Sequence, residues 1–222
     1  MSVVLAIPDL HSPFQHKDAL AFLKDLKRIY KPERVVCLGD EVDFHTLSQW
    51  PKDPNGFSQT EELERALEFL AELYKIFPRV QSCESNHTMR PYRMSYKNGL
   101  AKLFLKEYRQ FLKAPDSWEW ADRFEIDGVE YFHGEGIGSG VAAYKGAVDS
   151  RHCSCVVGHL HSSAGVVYFT SSDRTTRFCL NAGCLIDPAA YAFSYGSASK
   201  VKPTLGAGII IHGEKAIFEP MV

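Results

Sequence analysis

Three short apolar runs, each cut off by residues able to bind a metal, constrain this chain more than any other feature. Val3-Val4-Leu5-Ala6-Ile7 is stopped by Pro8 and followed at once by Asp9 and His11. Residues 34–38 end at Gly39-Asp40, and residues 80–83 lead into Ser85-Asn86-His87. A continuous apolar run of this length fits a strand buried on both faces. Between the runs lie two segments with apolar residues at helical spacing. Residues 16–30 carry Ala19, Leu20, Phe22, Leu23, Leu26 and Ile29, closed by Lys31-Pro32. Residues 61–77 carry Leu63, Leu67, Leu70, Leu73 and Ile76, with Thr60 as N-cap and Pro78 just beyond. Strands alternating with helices require parallel pairing through right-handed crossovers. Open α/β sheets place ligands outside the carboxyl ends of their strands. The three polar clusters are therefore expected to meet in one crevice.

The rest of the chain changes pattern. A third helical stretch is expected over residues 99–112. Short strands follow at 124–126 and 129–132, joined by the hairpin signal Asp127-Gly128, and His133-Gly134 comes directly after the second of them. Residues 141–148 read as a helix. Residues 155–157 read as a strand that ends at Gly158-His159-Leu160-His161, and residues 166–170, 177–180, 207–211 and 215–218 read as further strands. The second half is thus expected to be mainly antiparallel β. With no internal repeat and no linker, the 222 residues read as a single domain over 1–222.

Composition narrows the function classes. The content is 45% hydrophobic and 23% charged, which is ordinary for a globular protein. A formal charge of -2 removes any global basic field for non-specific nucleic-acid binding, although it leaves room for a local basic groove. No apolar run reaches the length of a membrane span and no basic leader precedes the first strand, so a cytoplasmic protein without a membrane partner is expected. Its oligomeric state stays open. The six cysteines, Cys37, Cys83, Cys153, Cys155, Cys179 and Cys184, lie in apolar or β-like stretches without paired zinc spacing. They read as buried free thiols, Cys153-Ser154-Cys155 being the only close pair.

Asp-x-His, Gly-Asp, Asn-His, His and His-x-His, each placed after an expected strand, assemble oxygen and imidazole donors suited to first-row divalent metals. Residues two apart on an extended segment face the same side, so Asp9 with His11, and His159 with His161, can address one site. In Asp9-x-His11, Gly39-Asp40-x-x-Asp43, Asn86-His87, His133-Gly134 and Gly158-His159-x-His161, the chain resembles the calcineurin-like metallophosphoesterases over residues 9–161.

The resemblance implies a four-layer α/β/β/α sandwich of two mixed sheets flanked by helices. It implies that Asp9, His11, Asp40 and His161 bind one divalent metal and that Asp40, Asn86, His133 and His159 bind a second, with Asp40 bridging. Manganese leads the expected metals, followed by nickel, zinc or iron. Two such cations sharing a water would generate hydroxide for in-line attack on phosphorus. His87 would sit beside them and protonate the leaving oxygen, and Asp43 would pair with His87. Read from the local sequence alone, Asp43 could instead cap a helix starting near Phe44.

Two departures from the family pattern stand out. Ser85-Asn86-His87-Thr88 lacks the family's leading glycine and trailing carboxylate, and Val42-Asp43-Phe44-His45 lacks the arginine that the protein phosphatase branch carries there. Because a monoester dianion gains more from such an arginine than a diester monoanion does, the expected reaction is phosphodiester hydrolysis on a nucleotide or nucleic-acid substrate. A DNA or RNA exonuclease, a phosphomonoesterase or protein phosphatase, and an inactive scaffold of the same fold are the alternatives. His45, Arg90 and Arg93 lie close enough to the motifs to be candidate substrate contacts, against the reading of Arg90 and Arg93 as a solvated basic turn. His16, His152 and His212 belong to no motif.

Overall fold

Alternation along the first strand sets the architecture. In the computed structural model, which describes residues 1–48, 56–170, 172–190 and 202–222, Val4 and Ala6 of β1 (Val3–Ile7) point to one side of a sheet and Leu5 and Ile7 to the other, and all four are buried. Leu5 and Ile7 pack under helices α1 (Ala19–Tyr30) and α2 (Gln59–Ile76), with Leu23, Leu26, Leu70 and Leu73 in the same cluster. Val4 and Ala6 face a second sheet through Tyr131, Val156, Phe178 and Leu180.

The first sheet continues with β2 (Arg34–Cys37), β3 (Val80–Cys83), β4 (Trp118–Ala121), β10 (Gly206–Ile211) and β11 (Lys215–Pro220), in the order β11-β10-β1-β2-β3-β4. The second holds β5 (Arg123–Ile126), β6 (Val129–Phe132), β7 (Ser154–Val157), β8 (Gly165–Thr170) and β9 (Thr176–Asn181), in the order β5-β6-β7-β9-β8. Helix α5 (Gly140–Arg151) covers its outer face, where Tyr144, Ala147 and Val148 meet Phe132, Cys155, Val157 and Cys179. The layers are therefore α/β/β/α with both sheets mixed.

The side chains filling the space between the sheets shrink along the strands. On β1 they run from Val4 to Ala6, on the antiparallel partner β10 from Ile210 to Gly208, and on β9 from Phe178 through Leu180 to Ala182. All three series diminish toward the carboxyl ends of β1 and β9. A Cβ on Gly208 would lie 2.6 Å from Leu180 Cδ2 and 3.2 Å from Ala6 Cβ, so a larger residue does not fit at that end.

The structure differs from expectation at three points. The third helix is α3 (Arg90–Lys97), and residues 99–112 hold only a 3-10 turn and the single-turn helix α4 (Tyr108–Phe111). Leu103 and Phe104 are apolar residues within that stretch, yet they are 90% and 72% exposed. Strand β4 was not anticipated, although Trp118 and Trp120 alternate with polar residues. The second half is mainly antiparallel as expected, through β5-β6, β8-β9, β10-β11 and β1-β10, but it also holds the parallel pairs β6-β7 and β7-β9, with α5 as the crossover from β6 to β7. Helix α2 is capped by Ser58, not Thr60. Ser58 Oγ accepts from the Glu61 amide (3.3 Å), and Glu61 Oε2 accepts from the Ser58 amide (2.9 Å). The six cysteines are free, five of them buried, and among the described residues no helix is long and apolar enough to cross a membrane.

Candidate metal centre

Parallel pairing of β1, β2 and β3 in one sheet, and of β6, β7 and β9 in the other, brings the loops after these strands to one edge of the sandwich. Asp9 and His11 follow β1, Asp40 follows β2, Asn86 and His87 follow β3, His133 follows β6, and His159 and His161 follow β7. Their donor atoms fall into overlapping groups. Asp9, His11, Asp40 and His161 form one and Asp40, His133 and His159 another, with the donor atoms of each group within 4.8 Å of one another. Asp40 belongs to both. Its Oδ2 lies 3.3 Å from His11 Nε2 and 3.4 Å from His133 Nε2. Asn86 Oδ1 joins the second group, 2.6 Å from His133 Nε2.

The rings are aimed by bonds on their far sides. His133 Nδ1 donates to the Leu38 carbonyl (2.9 Å), which turns the Nε2 lone pair inward toward Asn86 and His159 Nδ1 (3.1 Å). His11 Nδ1 donates to Asp43 Oδ1 at 2.6 Å and presents Nε2 to Asp40. The loop after β7 is braced by Asn181, a fully buried residue whose Nδ2 donates to the carbonyls of Leu160 (3.0 Å) and Ser163. The His159 amide donates to Asp9 Oδ2 (2.8 Å), and His161 Nε2 lies 2.7 Å from the same oxygen. Gly158 permits this approach, because a Cβ there would collide with Asp9 Oδ1.

The donor set suits a cation. Asp9 Oδ1 is buried without a hydrogen-bond partner among the described residues, a condition that costs roughly 1–3 kcal/mol in an interior. Mixed carboxylate, amide and imidazole donors match first-row divalent metals. The carboxylates are kept charged and ready to ligate. Burial alone would raise the Asp9 carboxyl, but the His161 hydrogen bond and the charge of His133 outweigh it and hold it below the ordinary range. Burial likewise opposes ionisation of Asp40, and His133, His87 and His11 together reverse the effect. Burial, followed by the charge of His87, pushes His11 down, and burial with His133 does the same for His159, which favours the neutral imidazole a metal needs.

Asp43 serves two histidines. Besides His11, its Oδ1 lies 2.9 Å from His87 Nδ1, and its carbonyl lies 2.8 Å from the same nitrogen. It caps no helix, since the 3-10 turn His45–Leu47 begins after Phe44 and has no side-chain cap. These bonds outweigh burial and hold the Asp43 carboxyl well below the usual carboxylate range. For His87, burial is outweighed by the charge of Asp40 and the Asp43 hydrogen bond, so the ring gains a proton more readily than usual.

The candidate substrate contacts are distributed unevenly. Arg90 is no solvated turn residue. Its side chain is 13% exposed, Nη1 donates to the carbonyls of Asp43 (2.8 Å) and Phe44 (3.3 Å), and Nη2 lies 3.0 Å from His87 Nε2. A guanidinium cannot accept, so His87 Nε2 accepts here and the ring proton stays on Nδ1. His45 Nδ1 stands 3.8 Å from Asp43 Oδ2. Arg93 is half exposed and pairs with Glu135 at 3.3 Å.

Three supporting residues escaped the sequence reading. Ser85, in place of the family glycine, accepts the Asp40 amide on Oγ (2.9 Å) and exchanges bonds with Thr88. Glu41 is fully buried against Trp120 Nε1 (2.8 Å), and burial pushes its carboxyl up to about 7. Asn181 carried no local signal, because its role depends on a loop twenty residues earlier.

The family model described as calcineurin-like phosphoesterase matches residues 2–186. No curated protein sequence matches the chain significantly. Among solved structures, vacuolar protein sorting 29 from Cryptosporidium parvum is similar at 14% identity, covering 99% of this chain and 97% of that one, with a TM-score of 0.47. Yfce, a phosphoesterase from E. coli, is similar at 16% identity over 94% and 88% of the two chains, with a TM-score of 0.40. The nuclease MPE from Pseudomonas putida is similar at 13% identity over 98% and 86%, with a TM-score of 0.37.

Proposed function

This chain belongs to the calcineurin-like phosphoesterase family, and from that premise we propose that it is a dinuclear metal-dependent phosphoester hydrolase preferring phosphodiesters. The observation that carries the reading is the overlap of two donor groups on Asp40. Asp9, His11, Asp40 and His161 would hold one divalent cation, and Asp40, Asn86, His133 and His159 the other, with manganese favoured by the oxygen and imidazole mixture. When bound, the pair would supply Lewis acidity to the phosphoryl oxygens and to the attacking water.

The protein's own residues handle the remaining proton. An alkoxide leaves poorly unless protonated, and His87 is the donor: Asp43 keeps a proton on Nδ1, so a second proton, taken up at Nε2, is the one to be given away. Protonation at Nε2 turns the Arg90 Nη2 contact into a meeting of two donors, which releases the guanidinium edge toward the site. Diester preference is supported by Phe44, whose side chain is buried and packs 6.0 Å from the Phe111 ring centre, so no arginine reaches the phosphate from that position. Pairing of β1 with β10 ties the first strand to the last part of the chain and supports a single domain over residues 1–222. Free thiols support a reducing compartment such as the cytoplasm.

The test is hydrolysis of bis(p-nitrophenyl) phosphate with added manganese. Activity should vanish on exhaustive chelation and return with manganese, and it should exceed activity on p-nitrophenyl phosphate. Full activity after chelation refutes the proposal.

A further inference from the structure

A cavity of about 440 Å³ opens from Asn86 along helix α3, with Arg90, Arg93 and Lys97 on its wall and Glu135 opposite. Residues at i, i+3 and i+7 share one helical face, so the three cations form a single row. The row begins at the guanidinium that touches His87 and runs outward. It is a local reversal of sign in a chain of formal charge -2.

We propose that this face of α3 binds the further phosphates of a phosphodiester chain, which makes a short single-stranded oligonucleotide the substrate class. The proposal rests on the hydrolase reading, and it goes further by naming what the cavity beside the reactive edge accepts. Length selects the ligand. Seven residues of helix span about 10 Å, whereas neighbouring phosphates in a nucleoside polyphosphate share one oxygen and cannot match that spacing. Phosphates separated by a sugar can. Volume selects single strands, because a cavity within the range of about 300–1,000 Å³ typical of small-ligand sites holds one or two nucleotide units and no duplex.

Arg90 is already immobilised by the Asp43 and Phe44 carbonyls, so it meets a phosphate with little loss of side-chain freedom. Arg93 holds Glu135 at 3.3 Å with both side chains half exposed. Such a pair contributes roughly 0–1 kcal/mol, and a phosphate can displace the carboxylate. Glu135 then acts as a competitor that keeps weaker anions off the row.

The experiment is a fluorescence anisotropy titration of a 5′-labelled oligothymidylate with metal-stripped protein across a salt series, run for the unaltered chain, the double variant R93A/K97A and E135Q. Turnover of the same oligomer and of bis(p-nitrophenyl) phosphate with manganese is measured in parallel. The double variant should bind 10- to 100-fold more weakly at low salt. Its log–log salt slope should be shallower by about 1.4, at ~0.7 for each lost phosphate contact on a single strand. E135Q should bind more tightly. The kcat/KM of the double variant should fall at least tenfold further on the oligomer than on the small diester, with the difference carried by KM. Unchanged salt slopes in correctly folded variants overturn the proposal, as does stronger competition by ATP than by unlabelled oligomer. If the unaltered protein leaves the small diester intact while the slope still depends on Arg93 and Lys97, the hydrolase reading fails and the phosphate row stands.

Discussion

Replacing Asp43 by asparagine perturbs two histidines at once, and the two effects can be read apart. Asp43 Oδ1 receives His11 Nδ1 at 2.6 Å and lies 2.9 Å from His87 Nδ1, with the carboxylate 1% exposed. A hydrogen bond to a charged acceptor contributes about 1.5–3 kcal/mol and a neutral one about 1 kcal/mol. D43N should therefore weaken each contact by ~0.5–2 kcal/mol, a factor of roughly two to thirty. On the His11 side the loss appears as metal affinity, where removing a carboxylate behind a ligating histidine generally costs about 10–100-fold. On the His87 side it appears as slower turnover at saturating metal, because the imidazolium loses its counter-charge.

The assay is initial rate against free manganese for both proteins, on a nitrophenyl diester and on a nucleoside alkyl diester. Half-saturating manganese should rise 10–100-fold for D43N. At saturation a further deficit of roughly tenfold should remain on the alkyl ester and be smaller on the nitrophenyl ester, whose leaving group needs no proton. An unchanged manganese requirement would show that the contact with His11 has no bearing on metal binding.

Two other perturbations are informative. H87N should lower turnover of an alkyl phosphodiester by about 10²–10⁴-fold while bound metal, measured by atomic emission, stays constant; an equal loss on a nitrophenyl ester would assign His87 to phosphate positioning instead. N181A removes the donor to the Leu160 and Ser163 carbonyls and should cost about 1–3 kcal/mol, lowering Tm by several degrees for a chain of this length. N181A should also weaken metal binding by loosening the loop that carries His159 and His161, and a Tm unaltered in calorimetry would refute the bracing role.

The parts of the fold legible in the sequence were those where local pattern and burial agree. β1 is apolar at every position and buried on both sides, so its end at Pro8 also marks where Asp9 emerges. Helix α3 was hidden because Tyr92 and Ser95 alone are buried among its eight residues. Its exposed face is polar and serves the cavity, and helical periodicity in hydrophobicity cannot register that use. The opposite error arose at Leu103 and Phe104, apolar residues that the fold leaves in solvent. Within the site, the motif spacings located the candidate ligands, but the double duty of Asp43 and the pinning of Arg90 depend on loops from different strands meeting in space. Arg90 lies 47 residues from Asp43 in the chain.

The diminishing side chains between the sheets would set the size of the proposed metal seat. Asp9, His11, Asp40 and Asn86 hang from the first sheet, while His133, His159 and His161 hang from the second. The span between these two sets is thus governed by how closely the layers approach at that rim, and Ala6, Gly208 and Ala182 act there as shims of minimum thickness. Inserting a methyl group among them would pry the rim apart and enlarge the seat offered to an ion. If the proposed metal centre is right, a change in the hydrocarbon interior alone would therefore shift the preferred cation radius while every candidate ligand stays the same.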